Sequence, residues 1–76
     1  MPKITPTHYK KLIKFFEAKG FCLVRQRGDH LIFVKAGIIR PIVIPTYKEI
    51  PVFIIKNNLA IAQIDREEYL KFFNVE

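Results

Sequence analysis

The amino-acid sequence predicts an α+β fold in which a helix is followed by a three-stranded antiparallel sheet, a second helix and a short extra C-terminal helix. Three patterns predict it: a helical apolar period in residues 6–19, three short β-rich segments in residues 21–44, and further helical patterns beyond residue 50. Because the strands are joined by short connections, an antiparallel meander with the helices on one face of the sheet is favoured. The 76 residues predict one domain over residues 1–76.

The first helix is predicted over about residues 6–19. Thr5 followed by Pro6 is typical of an N-cap and a first helical residue. Gly20 is typical of the residue that follows the C-terminus of a helix. Apolar side chains recur with the spacing of a buried helical face, at Tyr9, Leu12, Ile13 and Phe16.

Three strands, rich in β-branched and aromatic residues, are predicted over residues 21–26, 30–34 and 38–44. Gly28 and Asp29 supply the turn between the first two. Pro41 interrupts the third segment, and proline cannot donate a hydrogen bond within a sheet. The third strand is therefore expected at an edge.

The second strand carries apolar side chains on both faces. Alternation places Leu31 and Phe33 on one face, which must cover the core beneath the first helix. Ile32 and Val34 make the other face more apolar than a solvated side of an antiparallel sheet. This pattern indicates a surface for a partner or for a homo-oligomer, or else burial beneath the C-terminal segment.

The segment from residue 50 to residue 64 has two interpretations. Asn57-Asn58 between apolar runs is compatible with a hairpin turn, whereas Pro51 and the spacing of the apolar residues slightly favour a helix. Asp65 with Glu68 then has the form of a capping box that opens a last helix. The double-stranded-RNA-binding domain has this αβββα order.

The charge of the chain is +6 and lies in its first half. Residues 1–40 contain nine Lys and Arg against two acids, a surplus of +7, while residues 41–76 contain four against five, a net −1. A basic half suits a polyanion, most simply nucleic acid.

One cysteine excludes an internal disulfide, and with two histidines it does not make a zinc site, so no metal or cofactor is expected. No signal peptide or membrane span is found, which predicts a cytoplasmic protein.

The most chemically informative segment is Arg25-Gln26-Arg27-Gly28-Asp29-His30. Histidine can exchange a proton near neutral pH, and arginine matches phosphate oxygens. The pattern suggests work on a phosphodiester, with His30 as a candidate general acid or base and Arg25 and Arg27 as candidate phosphate contacts. A histidine that caps the turn and two arginines at a solvated strand end are the alternative interpretation. Lys10 and Lys14 are candidates for contacts with the RNA backbone, although a solvated helix face explains them equally well.

A set of motifs extends over nearly the whole chain: Lys3-Ile4-Thr5-Pro6, Leu12-Ile13, Phe16-Glu17, Gly20-Phe21, Leu23-Val24-Arg25-Gln26-Arg27-Gly28-Asp29-His30, Ile32-Phe33, Ile44-Pro45 and Asp65-Arg66-Glu67-Glu68-Tyr69-Leu70. Together these motifs resemble the HicA mRNA interferase toxins, of the HicA/YcfA family. The resemblance implies a dsRBD-like fold and the toxin of a type II toxin–antitoxin system. It also implies a metal-independent endoribonuclease that acts on mRNA, with His30 as its functional histidine, and a HicB-like antitoxin as partner.

The chain departs from the common family pattern near the second helix. Tyr47 stands where members often carry a histidine after Pro-x, and Phe53-Ile54 stand where many have Gly-Thr. The His30 motif is intact. A module of the same fold that binds RNA or protein without catalysis is the alternative function.

Overall fold

The computed structural model describes residues 3–73. Its elements in chain order are α1 (Tyr9–Ala18), β1 (Cys22–Arg27), β2 (His30–Val34), β3 (Ile42–Pro45), α2 (Val52–Ala62) and α3 (Arg66–Phe73). β2 lies between β1 and β3, and both pairs are antiparallel. The predicted αβββα order with an extra C-terminal helix is confirmed, and the segment with two interpretations is helical.

One face of the sheet carries the core, and α1 and α2 both pack on it. β2 contributes Leu31 and Phe33, and β3 contributes Ile42 and Ile44, all buried. The helices contribute the buried side chains of Leu12, Phe15, Phe16, Ile55, Leu59 and Ala62. The apolar periodicity of the first helix and of the second strand is thus explained by one shared core.

The opposite face of the sheet, which carries His30, Ile32 and Val34, is called the outer face below. Val34 is 38% exposed, and Val43 on β3 is 37% exposed. Ile32 is half-buried. The expected alternative of burial beneath the C-terminal segment is wrong, because α3 packs against α1 instead. The interpretation as a partner or oligomer surface stays a prediction.

The start predicted for the first helix is wrong by three residues. α1 begins at Tyr9, and His8 is its N-cap, with Nδ1 accepting a hydrogen bond from Lys10 N at 3.1 Å. Thr7 is instead held extended, since its N–H and C=O both bond to Ile50 at 3.3 and 2.7 Å. This long-range bridge overrides the local Thr-Pro signal. The predicted end is confirmed, with Gly20 at a φ of +96° after the C-cap Lys19.

The third strand is shorter than predicted. It begins at Ile42 rather than at residue 38, because the chain turns at residues 35–38, where Ile38 N donates to Lys35 O at 3.1 Å. Pro41, which has no N–H to donate, directly precedes the first paired residue. The expected edge position of the strand is confirmed.

Aromatic side chains join α3 to α1. Phe15, fully buried, meets Tyr69 and Phe72 edge to face, with ring centroids 5.0 and 5.2 Å apart. The carboxylate of Glu68 pairs with Nζ of Lys19, the C-cap residue of α1. The predicted start of the last helix after Asp65 is confirmed, since α3 begins at Arg66. Within residues 3–73 the side chain of Glu68 bonds to Lys19 and not to the backbone of Asp65, so the predicted capping box is wrong in that contact.

We expect the free energy of unfolding to decrease as the pH rises from about 10 to about 12 because of Tyr69. Burial raises the pKa of this phenol from 10.0 to about 12, so the unfolded chain ionises first and unfolding is favoured across that interval. Two pH units correspond to about 2–3 kcal/mol. Urea denaturation at pH 9 to 12 measures the loss, and Tyr69→Phe should show a shallower decline. Parallel profiles for the two proteins would contradict the prediction.

Candidate functional site

His30 is the first residue of β2 and follows a two-residue hairpin turn. Gly28 has a φ of +60°, as expected for the first central residue of a type II′ turn, where glycine meets no steric penalty. The side chain of Gln26 supports the turn by donating to Gly28 O at 2.9 Å. Because Leu31 faces the core, alternation directs His30 to the outer face.

The imidazole of His30 is held by its neighbour in the turn. Nδ1 lies 2.8 Å from Oδ1 of Asp29, and the two side chains are 48% and 63% exposed. An ionised carboxylate only accepts hydrogen bonds, so Nδ1 is the donor and the lone pair of a neutral ring lies on Nε2. Asp29 therefore belongs to the turn and also orients the histidine. The sequence favoured only the first of these roles.

A second contact joins the turn to the segment after β3. The carbonyl of Asp29 accepts hydrogen bonds from Thr46 N at 2.8 Å and from Thr46 Oγ1 at 3.2 Å. Tyr47, the residue after Thr46, is also held in place, because its carbonyl oxygen accepts a hydrogen bond from Tyr9 N at 3.2 Å. Thr46 thereby positions the residue that orients His30, and nothing in the local sequence indicated it.

A β-bulge in β1 places both arginines beside His30. Arg25 lies opposite Ile32, and Arg27 lies opposite His30. The register shifts by one residue between Leu23 and Arg25, and without that shift both arginines would point to the core side. Both are exposed. The structure thus brings together three of the predicted site residues on one face.

The predicted lysines are not part of this group. Lys10 and Lys14 are exposed on α1, which packs on the core side of the sheet rather than on the outer face. No hydrogen bond or ion pair links either side chain to the arginines or to His30 within residues 3–73. Their contact with RNA stays a prediction.

A groove of about 440 Å³ opens between β3 and α2, and His30 is one of its lining residues. We call it the β3–α2 groove. Arg40, Val43 and Tyr47 line it from the sheet side, and Ile54 and Asn57 line it from α2. Asn58, only 2% exposed, joins the two walls because its Nδ2 donates to Val43 O at 3.0 Å.

Asn58 was not predicted as part of the site because Asn57-Asn58 resembles a turn. A signal was present, since residues 55, 58, 59 and 62 have the i, i+3, i+4, i+7 spacing of a buried helical face. An asparagine on such a face must satisfy its amide, and the unpaired edge of β3 offers a carbonyl.

The family model for the HicA toxin of bacterial toxin–antitoxin systems matches residues 9–64. This chain belongs to the HicA toxin family. The match includes the hairpin with His30, the bulge and both walls of the β3–α2 groove. No curated protein and no solved structure matches the chain.

Membership in the HicA family makes this chain the toxin of a toxin–antitoxin pair and implies an antitoxin as its partner. Between residues 3 and 73, none of the helices has the length and apolar character needed to cross a membrane. The same residues contain no group of three or more His, Cys, Asp or Glu side chains that could hold a metal ion.

Proposed function

We propose that this HicA-family toxin is a metal-independent endoribonuclease whose general acid or base is His30. The observation that carries the proposal is the contact of 2.8 Å between His30 Nδ1 and Asp29, which leaves Nε2 available on a face exposed to solvent. Arg25 and Arg27 lie on the same face of the hairpin. These groups can supply the proton transfer and the charge stabilisation that promote cleavage of RNA through its own 2′-hydroxyl.

In this reaction the ribose 2′-oxygen attacks the adjacent phosphorus while a base removes its proton. The bond from phosphorus to the 5′-oxygen breaks, and that oxygen takes a proton from solvent water, which leaves a 2′,3′-cyclic phosphate and a 5′-hydroxyl. Nε2 of neutral His30 accepts the proton of the 2′-hydroxyl, and Asp29 stabilises the imidazolium that results. Arginine cations stabilise the charge that develops on the phosphoryl oxygens.

We expect the purified toxin to cleave single-stranded RNA in the presence of EDTA. Products should carry a 2′,3′-cyclic phosphate and a 5′-hydroxyl, because the nucleophile belongs to the RNA. An oligonucleotide with a single 2′-deoxyribose at the cleaved position should stay intact there, while its all-ribose counterpart is cut. Mass spectrometry of the fragments measures both results. A 5′-phosphate product, or cleavage that depends on added Mg²⁺, would rule out this mechanism.

A further inference from the structure

The β3–α2 groove has two kinds of lining. Apolar side chains make much of its surface, among them Val43, Pro45 and Ile54. Besides His30 and the buried Asn58, three polar residues line it: Tyr47, Asn57 and Arg40. An apolar cleft with a few convergent polar groups is the usual form of a small-ligand site, and a volume of about 440 Å³ lies within the range of such sites.

These polar groups are available to a ligand. Tyr47 is 41% exposed, and Arg40 and Asn57 are also exposed. Within residues 3–73, the side chains of all three make no hydrogen bond or ion pair. The side chains of the adjacent residues Thr46 and Asn58 are, by contrast, fixed by hydrogen bonds to the backbone carbonyls of Asp29 and Val43. The groove therefore has walls that are already fixed, which reduces the entropy lost when a ligand binds, and it has unpaired polar groups that are free to contact that ligand.

We propose that the β3–α2 groove binds the base of an unpaired ribonucleotide next to the phosphodiester on which His30 acts. The inference rests on the proposed function, because His30 itself lines the groove. Tyr47 stacks on the flat face of the base, and the Asn57 amide bonds to its edge. Arg40 contacts a phosphate oxygen of the same strand. Stacking on aromatic side chains and hydrogen bonding to base edges are how proteins read single-stranded RNA.

The charge around the groove suits the phosphates of RNA and disfavours a basic or neutral protein segment. Arg40 lines the groove, and Arg25 and Arg27 share the outer face with His30. Among residues 3–73, none of the side chains that line the groove is acidic. A strand that crosses the outer face would pass the two arginines of β1, then His30, and would reach the groove at the far edge of the sheet.

The first test is binding of single nucleotides, which contain no phosphodiester to cleave. The four ribonucleoside 3′-monophosphates, and inorganic phosphate as a separate probe, are titrated into the full chain and followed by amide NMR shifts. At least one nucleotide should shift the signals of Tyr47 and Asn57, and phosphate alone should not. Tyr47→Ala should weaken this binding about 5-fold to 100-fold, as expected for loss of one stacking contact.

Phe53→Ala is the matched control for Tyr47→Ala. Phe53 is an aromatic residue of α2 that is 71% exposed and does not line the groove, so its removal should leave nucleotide affinity unchanged. Shifts that follow phosphate as strongly as nucleotide would overturn the proposal. The same holds if only an antitoxin protein, and no nucleotide, perturbs the groove.

The second test is base preference in cleavage. Asn57→Asp replaces an amide that donates and accepts by a carboxylate that only accepts. The ratio of kcat/KM values between oligonucleotides that differ in one base at the cleavage site should then change by at least about fivefold. RNA cleavage that depends on His30, with a base preference unchanged in Asn57→Asp and Tyr47→Ala, would refute the groove assignment and leave the proposed function standing. Nucleotide binding in the groove without any RNA cleavage would refute the proposed function and leave the groove as a nucleotide-binding site.

Discussion

Replacing His30 by alanine is expected to lower the rate of RNA cleavage by about 10²–10⁴-fold, the usual contribution of one positioned proton-transfer group. Growth arrest on expression should be lost with it. The fold should survive, because the side chain is 48% exposed and its one polar contact is with Asp29, itself at the surface. Single-turnover cleavage and circular dichroism, measured on the same preparation, separate loss of chemistry from loss of structure.

His8→Asn is the matched control for His30→Ala. His8 is the other histidine of the chain, and its role in the structure is to cap α1 through Nδ1. Asparagine is among the best N-cap residues, so the helix should keep its cap and the protein its cleavage activity. If His30→Ala cleaves RNA as fast as the wild type, the assignment of His30 is wrong. If the wild type binds RNA and does not cleave it, the chain is an RNA-binding module.

Phe15→Ala should be the most damaging single truncation of the core, with a loss of about 3–5 kcal/mol in the free energy of unfolding. Phe15 is fully buried and contacts the rings of four aromatic residues, which are Phe16, Tyr69, Phe72 and Phe73. A chain of 76 residues has a total stability on the order of 4–11 kcal/mol, so the variant should be partly unfolded at 37 °C. Urea denaturation at 10 °C keeps the loss measurable.

Phe53→Ala is also the matched control for Phe15→Ala, because it removes the same volume from a side chain that is 71% exposed. Its unfolding free energy should stay within about 0.5 kcal/mol of the wild type. A loss below about 1 kcal/mol for Phe15→Ala would mean that α3 does not pack on α1 in solution, since the cavity term depends on those contacts.

Most of the element types were predictable because each depends on local pattern. The apolar period of residues 9–16 dictates a helix with one buried face, and Gly20 can adopt the positive φ that ends it. The Gly-Asp turn and the alternation of Leu31 and Phe33 dictate a hairpin with a core side.

The residues at which helices and strands begin and end were less predictable. Thr5-Pro6 is a sound local signal for a helix start, and the bridge from Thr7 to Ile50, forty-three residues away, overrides it.

The candidate site shows the same division. His30 was predictable as a candidate, since a histidine after a Gly-Asp turn and beside arginines is visible in the chain itself. The long-range hydrogen bonds that hold the site were not predictable. Those from Thr46 to Asp29 and from Asn58 to Val43 join residues that are 17 and 15 positions apart in the sequence. Local pattern contains no information about which distant segment will supply a donor.

The residue types of the site, the basic first half of the chain and the order of its elements follow from the amino acids alone. That Arg25 and Arg27 face the same side as His30 depends on how β1 pairs with β2 in the folded protein. One extra residue in β1 decides it, because side chains in a strand alternate with a period of two and a shift of one residue reverses every face beyond it. The tertiary structure also decided that an edge strand and a helix meet beside His30, which creates a groove from residues that no local pattern joins.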